Sequence, residues 1–90
     1  MDIKGVIADL RSGRASTRCK DLISLLELLG FDVRKGTKGN HHTYTHKKLL
    51  GFSVASFDCG HKKHVKPVYV DKVRKLIAKY EDELERLMDE

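Results

Sequence analysis

The chain has 90 residues, of which 40% are hydrophobic and 34% charged, and its formal net charge is +5. A chain of this length forms one small domain with a modest core, which excludes a deep enclosed active site. No apolar run approaches the ~20 residues of a membrane span, and the opening Met-Asp-Ile-Lys lacks the apolar core of a signal peptide. We therefore expect a single domain over residues 1–90, cytoplasmic and without a membrane partner.

The two cysteines, Cys19 and Cys59, are too few for a small disulfide-stapled scaffold. Disulfides are rare in the cytoplasm, where cellular reductants keep thiols reduced. The sequence therefore predicts two reduced thiols.

Positive charge is concentrated in the middle of the chain. Residues 34–66 contain eight Lys and Arg residues and only one acid, Asp58, whereas acids gather between Glu81 and Glu90. A basic region of this kind is typical of a protein that binds a polyanion.

Two helices open the chain. The apolar spacing of residues 2–11 predicts a short amphipathic helix with Asp2 as its N-cap. Thr17 is the expected N-cap of a second helix, and Gly30 the left-handed residue after its end. The core stripe of this second helix consists of Leu22, Leu25, Leu26 and Leu29.

Alternating residues then predict three strands, over 31–35, 42–46 and 52–58, joined by short turns. The first turn is Gly36–Asn40. Short connections between successive strands favour an antiparallel meander. In the second strand, alternation places His42 and Tyr44 on one face of the sheet and His41 on the opposite face.

A final helix begins at or just after Pro67. Its apolar residues are spaced 3, 4, 3, 4 and 3 apart and predict one helix of about 19 residues. They are Val70, Val73, Ile77, Tyr80, Leu84 and Leu87. The helix is longer than a three-stranded sheet needs, so its last turns are expected to pair with the first helix or with a second copy of the chain, which would make a homodimer.

The predicted fold class is therefore α+β, with a three-stranded antiparallel sheet. The two longer helices should cover one face of the sheet and leave the other face open to a ligand.

Three segments between Arg18 and about Leu84 form a recognisable pattern. They are Leu29-Gly30-Phe31, then Gly39-Asn40-His41-His42-Thr43-Tyr44-Thr45-His46, then Lys66-Pro67-Val68-Tyr69-Val70. In the order and spacing of these segments the sequence resembles the HicA family (YcfA-like) of toxins from toxin–antitoxin pairs. The resemblance implies an α-β-β-β-α fold similar to a double-stranded-RNA-binding domain. Residues 17–88 would form this core, and residues 1–14 a helical N-terminal extension.

The same resemblance implies an mRNA-cleaving endoribonuclease (an mRNA interferase), a toxin that a HicB-type antitoxin neutralises. The family's catalytic histidine falls on His41. Where the family usually has Ser before this histidine, the chain has Asn40, which can still form the turn and donate a hydrogen bond.

RNA carries its own nucleophile, the 2′-hydroxyl, so the protein needs a general base and cations. Histidine suits the first role because it offers a neutral ring nitrogen near pH 7. We therefore assign His41 as general base, with Lys38 and His61 as candidates for the general acid. This reaction requires no metal or other cofactor. The RNA-binding residues are predicted to be Lys35, Lys38, Asn40, Lys47, Lys48, Lys62 and Lys63.

Metal binding by the histidines is the main chemical alternative. His42 and His46 share a strand face but lie about 13 Å apart, too far for one ion. Cys59-x-His61-x-x-His64 has closer spacing but lacks the second ligand pair of a typical zinc motif. We predict no metal site. The alternative function is a non-catalytic RNA-binding module of the same fold.

Overall fold

A computed structural model of the protein describes residues 2–37 and 39–89. The elements in chain order are α1 (Ile3–Ser12), α2 (Cys19–Leu28), β1 (Asp32–Lys35), β2 (His41–Thr45), β3 (Ala55–Asp58), α3 (Pro67–Lys79) and α4 (Glu81–Met88). The three strands form one antiparallel sheet in the order β1-β2-β3. The prediction of an α+β fold with an α-β-β-β-α layout and an added N-terminal helix is confirmed.

The register of the sheet fixes which side chains share a face. Tyr44 of β2 lies opposite Val33 of β1 and Ala55 of β3, and His42 lies opposite Phe57. Tyr44 and Phe57 are 2% and 1% exposed. We call this side the inner face, because it contacts the core, and the side that carries His41 and Thr43 the outer face.

A side chain caps the first helix but not the second. The Asp2 side chain accepts a hydrogen bond from the Lys4 backbone N–H, which confirms Asp2 as N-cap of α1. Thr17 was wrongly predicted to cap α2. The N-cap is Arg18, because the Thr17 hydroxyl instead donates to the Gly13 carbonyl and closes the linker.

The third strand is shorter than predicted. It begins at Ala55, and residues 52–54 are not extended sheet. Strict alternation from residue 52 would place Phe52 and Phe57 on opposite faces. Both rings instead contact Tyr44, with centroid distances of 6.0 and 5.9 Å, because the irregular chain before Ala55 turns Phe52 back onto the core.

The predicted single C-terminal helix is broken at Tyr80, whose φ of −107° is not helical. Tyr80 is buried and its ring contacts Phe52 at 5.9 Å between centroids. The acids Glu81, Asp82 and Glu83 occupy the first turn of α4, where the helix dipole favours negative charge. The break directs α4 toward α1, where the Glu85 carboxylate accepts a hydrogen bond from the Ile3 backbone N–H at 3.0 Å.

One hydrophobic core joins the helices and the inner face of the sheet. It includes Ile3, Val6 and Leu10 of α1, so this helix shares the core with the remaining elements. Pro67 occupies the first turn of α3, as predicted. In the described ranges, no helix has the length and apolarity needed to cross a membrane.

The polar linker between α1 and α2 is held against α3. The Arg14 guanidinium donates three hydrogen bonds to the Asp71 carboxylate, the shortest at 2.6 Å. This pairing lowers the pKa of the Asp71 carboxyl below its usual value. The Val65 backbone N–H also donates to the Thr17 carbonyl, at 2.8 Å. The linker and the loop before α3 are therefore fixed together at one end of the sheet.

His46 fastens the end of β2 to the end of α2. Its Nε2 lies 3.1 Å from the Leu29 carbonyl oxygen, and the Lys48 backbone N–H lies 3.1 Å from its Nδ1. A carbonyl can only accept and an N–H can only donate, so these two contacts select the tautomer with its proton on Nε2. Gly30 makes room for this contact, because a Cβ there would lie 2.8 Å from Nε2.

Replacement of His46 by Leu is expected to lower the free energy of unfolding by about 2–3 kcal/mol, because the Leu29 carbonyl would lose its partner in a buried position. His46→Gln should cost less, since its amide can still donate to that carbonyl. Urea unfolding followed by circular dichroism measures both. His61→Leu, at an exposed loop position, is the control and should change stability by less than about 0.5 kcal/mol.

Tyr44 makes stability depend on pH in the alkaline range. Burial raises the pKa of Tyr44 from 10.0 to about 12. The folded state therefore disfavours the phenolate, so the contribution of Tyr44 to stability should be constant below pH 10 and fall between pH 10 and 12. Two pKa units correspond to a loss of up to about 2.7 kcal/mol. Tyr44→Phe should flatten this decline in unfolding experiments across that range, whereas Tyr69→Phe, on α3, should retain it.

The two cysteines form a disulfide, so the prediction of reduced thiols is wrong for this structure. Cys19 opens α2, and Cys59 immediately follows β3. Packing of α2 across the sheet brings their Cα atoms to 5.4 Å, within the range that a disulfide spans. The prediction of reduced thiols rested on the expected cytoplasmic compartment. Composition could not show that the fold brings together two cysteines that are 40 residues apart.

Candidate functional site

His41 is the first residue of β2 and is exposed on the outer face of the sheet. Its neighbour His42 is buried on the inner face, where its ring stacks on Phe57 with a centroid distance of 5.3 Å. The predicted separation of the two histidines is therefore confirmed. Of this pair, only the His41 imidazole can meet a substrate on the open face.

Gly36 leaves space beside the His41 ring. It lies opposite His41 across the hairpin, and its backbone N–H donates to the His41 carbonyl at 2.7 Å. A Cβ at position 36 would come within 3.7 Å of the His41 Cδ2 atom. The missing side chain thus keeps this flank of the imidazole open.

Asn40 fixes the turn that presents His41. Its side-chain amide donates to the Gly60 carbonyl, and its own carbonyl accepts from the Cys59 backbone N–H at 3.0 Å. A third bond joins His42 Nδ1 to the same carbonyl, at 2.9 Å. Asn40 was predicted to contact RNA. The structure uses its amide to tie the β1–β2 turn to the loop after β3.

Two charged residues join His41 on the outer face. Asp58 is its direct cross-strand partner in β3. The Asp58 carboxylate also accepts from the Gly60 backbone N–H at 2.8 Å, which holds it near the strand end. Arg34 of β1 lies opposite Thr43 and so diagonal to His41, a separation of about 7–8 Å between such neighbours. Arg34 pairs with Asp32 in its own strand.

The predicted RNA-binding lysines divide between the two ends of the sheet. Lys47 and Lys48 are exposed beyond Thr45, the last residue of β2. His41 begins that strand, and four residues of strand span about 13 Å. These two lysines therefore lie at the far end from His41, and the structure does not bring them to it.

The other predicted cations lie in the loop after β3 and at the end of β1. Lys62 and Lys63 are exposed in the loop that Gly60 connects to Asn40. Lys35 is exposed at the end of β1, but its register partner is His42, so its side chain leaves from the inner-face side. Lys38 lies outside the described residues.

The arrangement is thus an exposed imidazole with a carboxylate across from it, an open flank and a basic loop beside it. Such a group can accept a proton from a hydroxyl brought to the outer face. Sequence reasoning missed Gly36, Asp58 and Arg34 as neighbours of His41. The alternation of β3 was the available signal for Asp58, but pairing register cannot be read from alternation alone.

A second group of reactive side chains lies beneath the turn. The ligand atoms of Cys19, His42 and Cys59 all fall within 4.8 Å of one another, and His42 and Cys59 are buried. Sequence reasoning did not assemble this set because its members come from three separate elements.

Comparison with known proteins gives no relative from which a role could be transferred. No protein-family model, curated protein or solved structure matches the chain.

Proposed function

We propose that this protein is a HicA-type toxin, a metal-independent endoribonuclease that cleaves mRNA with His41 as general base. The observation that carries the proposal is the exposed His41 imidazole at the start of β2, on the open face of an α-β-β-β-α fold. The motif around Gly39–His46 supports the same reading from the sequence.

In the proposed reaction, RNA lies on the outer face with a 2′-hydroxyl against the imidazole. A neutral ring nitrogen of His41 takes the hydroxyl proton as the 2′-oxygen attacks the adjacent phosphorus. The bond from phosphorus to the 5′-oxygen breaks, leaving a 2′,3′-cyclic phosphate and a 5′-hydroxyl that takes up a proton. The cations available to stabilise the negative charge of the phosphorane are Arg34, diagonal to His41 on the outer face, and Lys62 and Lys63 in the loop that Gly60 connects to Asn40.

The proposed partners are mRNA and a HicB-type antitoxin, and the proposed compartment is the cytoplasm, where mRNA is found. An antitoxin that neutralises such an enzyme would have to cover the outer face around His41. A reading frame encoding it next to this one would support the assignment.

A non-catalytic RNA-binding module is the second candidate, and one observation favours it. The side-chain amide of Asn40, at the position of the family's usual serine, is engaged with the Gly60 carbonyl. If the serine hydroxyl takes part in catalysis, this chain has no equivalent at that position. Such a module would bind RNA with an affinity that falls steeply with salt, with a slope of about −0.7 per phosphate contacted on a single strand.

The decisive test incubates the purified chain with a labelled single-stranded RNA in EDTA and with the same RNA carrying 2′-O-methyl groups. Cleavage of the first to 2′,3′-cyclic phosphate ends, with none of the second, is the expected result. Salt-dependent binding of both RNAs without cleavage would favour the binding module. Absence of both binding and cleavage would refute both proposals.

A further inference from the structure

We propose that Cys19, His42 and Cys59 form a zinc site when the disulfide is reduced. The two sulfurs and the imidazole come from α2, β2 and the segment after β3, and the fold holds all three ligand atoms within 4.8 Å of one another. This site is separate from the outer-face chemistry of His41, since His42 lies on the opposite face.

The distances suit a tetrahedral zinc ion. Zn–S bonds of about 2.3 Å and Zn–N bonds of about 2.0–2.1 Å place a sulfur and a nitrogen ligand about 3.5 Å apart. Cys59 Sγ and His42 Nδ1 are 3.7 Å apart. Two thiolates on one zinc lie about 3.8 Å apart by the same geometry. The Cα separation of 5.4 Å allows this once the S–S bond is broken.

The surroundings also fit a metal site. The His42 ring is oriented by its stacking on Phe57. Zinc at Nδ1 would replace the hydrogen bond between that nitrogen and the Asn40 carbonyl, and the carbonyl would keep its bond from the Cys59 backbone N–H. A surface cavity of about 340 Å³, lined by Asn40, Gly60, His61 and Lys62 together with both cysteines, gives access from solvent. Zinc would have a fourth position facing this cavity, available to water.

Formation of the site is a balanced exchange. A dithiol reductant attacks one sulfur of the Cys19–Cys59 bond, and its second thiol then closes the reductant's own disulfide, leaving two protein thiols. Zinc binds them as thiolates, with two protons released to solvent, and His42 Nδ1 gives up its proton to Nε2. The disulfide and the metal site are thus alternative states of the same two sulfurs, and a reducing cytoplasm favours the second.

The test uses the full chain, reduced with a phosphine under argon and titrated with Co²⁺ as the spectroscopic probe. We expect one equivalent to give the visible bands of tetrahedral cobalt and a thiolate charge-transfer band, both abolished by added Zn²⁺. The oxidised chain should give neither. Native mass spectrometry should show one zinc per reduced chain.

Variants distinguish zinc binding at this site from zinc binding by Cys59, His61 and His64 of the loop after β3. Cys19→Ser and His42→Gln should weaken zinc affinity by at least about 100-fold, whereas the double variant His61→Ala/His64→Ala should bind as the wild type does. Absence of a thiolate charge-transfer band in the reduced wild type overturns the proposal. So does loss of binding in the double variant with binding retained in His42→Gln. The wild-type measurement stands even if a variant fails to fold.

Discussion

Reduction of the Cys19–Cys59 disulfide, in the presence of a chelator, is expected to lower the free energy of unfolding by about 4 kcal/mol. The bond joins residues that are 40 positions apart in the sequence. In the chain-entropy model, a cross-link that closes a loop of this size reduces the entropy of the unfolded chain and so stabilises the folded protein by about 4 kcal/mol. For a domain of this length, the loss corresponds to a fall in Tm of roughly 15–30 °C. Thermal unfolding with and without a phosphine reductant measures it.

The control is the double variant Cys19→Ser/Cys59→Ser, which should unfold near the temperature of the reduced wild type and be insensitive to the reductant. A wild type whose Tm changes by less than about 4 °C on reduction would contradict the expectation. If the proposed site is real, Zn²⁺ added to the reduced wild type should recover part of the lost stability, because zinc binds the folded chain preferentially. The serine variant should show no recovery.

The fold could be predicted from the sequence wherever the spacing of apolar residues along the chain determines which side chains are buried. The 3-4 spacing of Val70, Val73 and Ile77 and the alternation of β2 both predicted the buried faces correctly. The sequence did not predict the structure correctly where contacts between distant residues override the local spacing of apolar residues. Tyr80 leaves helical geometry while its ring contacts Phe52, and Phe52 reaches the core from irregular chain rather than from a strand.

The same distinction applies to the candidate site. His41 could be placed on an exposed face from alternation and from the glycine-containing turn before it. Its pairing with Asp58 depends on strand register, and the approach of Cys19 to His42 depends on how α2 crosses the sheet. Neither is encoded in residues that are near one another in the chain.

His41→Ala is expected to reduce RNA cleavage by about 10²–10⁴-fold, the usual contribution of a positioned general base. Folding should be nearly unaffected, because the side chain is exposed on the outer face and such substitutions change stability by less than about 0.5 kcal/mol. RNA affinity should change little, since cations dominate phosphate binding. Single-turnover cleavage of a labelled RNA, with affinity measured on the 2′-O-methyl analogue, separates rate from binding.

His64→Ala is the matched control because it also removes one imidazole from the basic half of the chain. It should cleave at a rate close to that of the wild type. Gly36→Ala tests the geometry independently. Its methyl would fill the open flank of the ring, in contact with Cδ2 at 3.7 Å, and would press on the His41 carbonyl oxygen at 3.3 Å, so it should slow cleavage without weakening binding. Equal rates for His41→Ala and the wild type would remove His41 from the mechanism, even if the chain cleaves RNA. A parallel loss of rate and affinity in His41→Ala would instead make His41 an RNA-contacting residue of a binding surface.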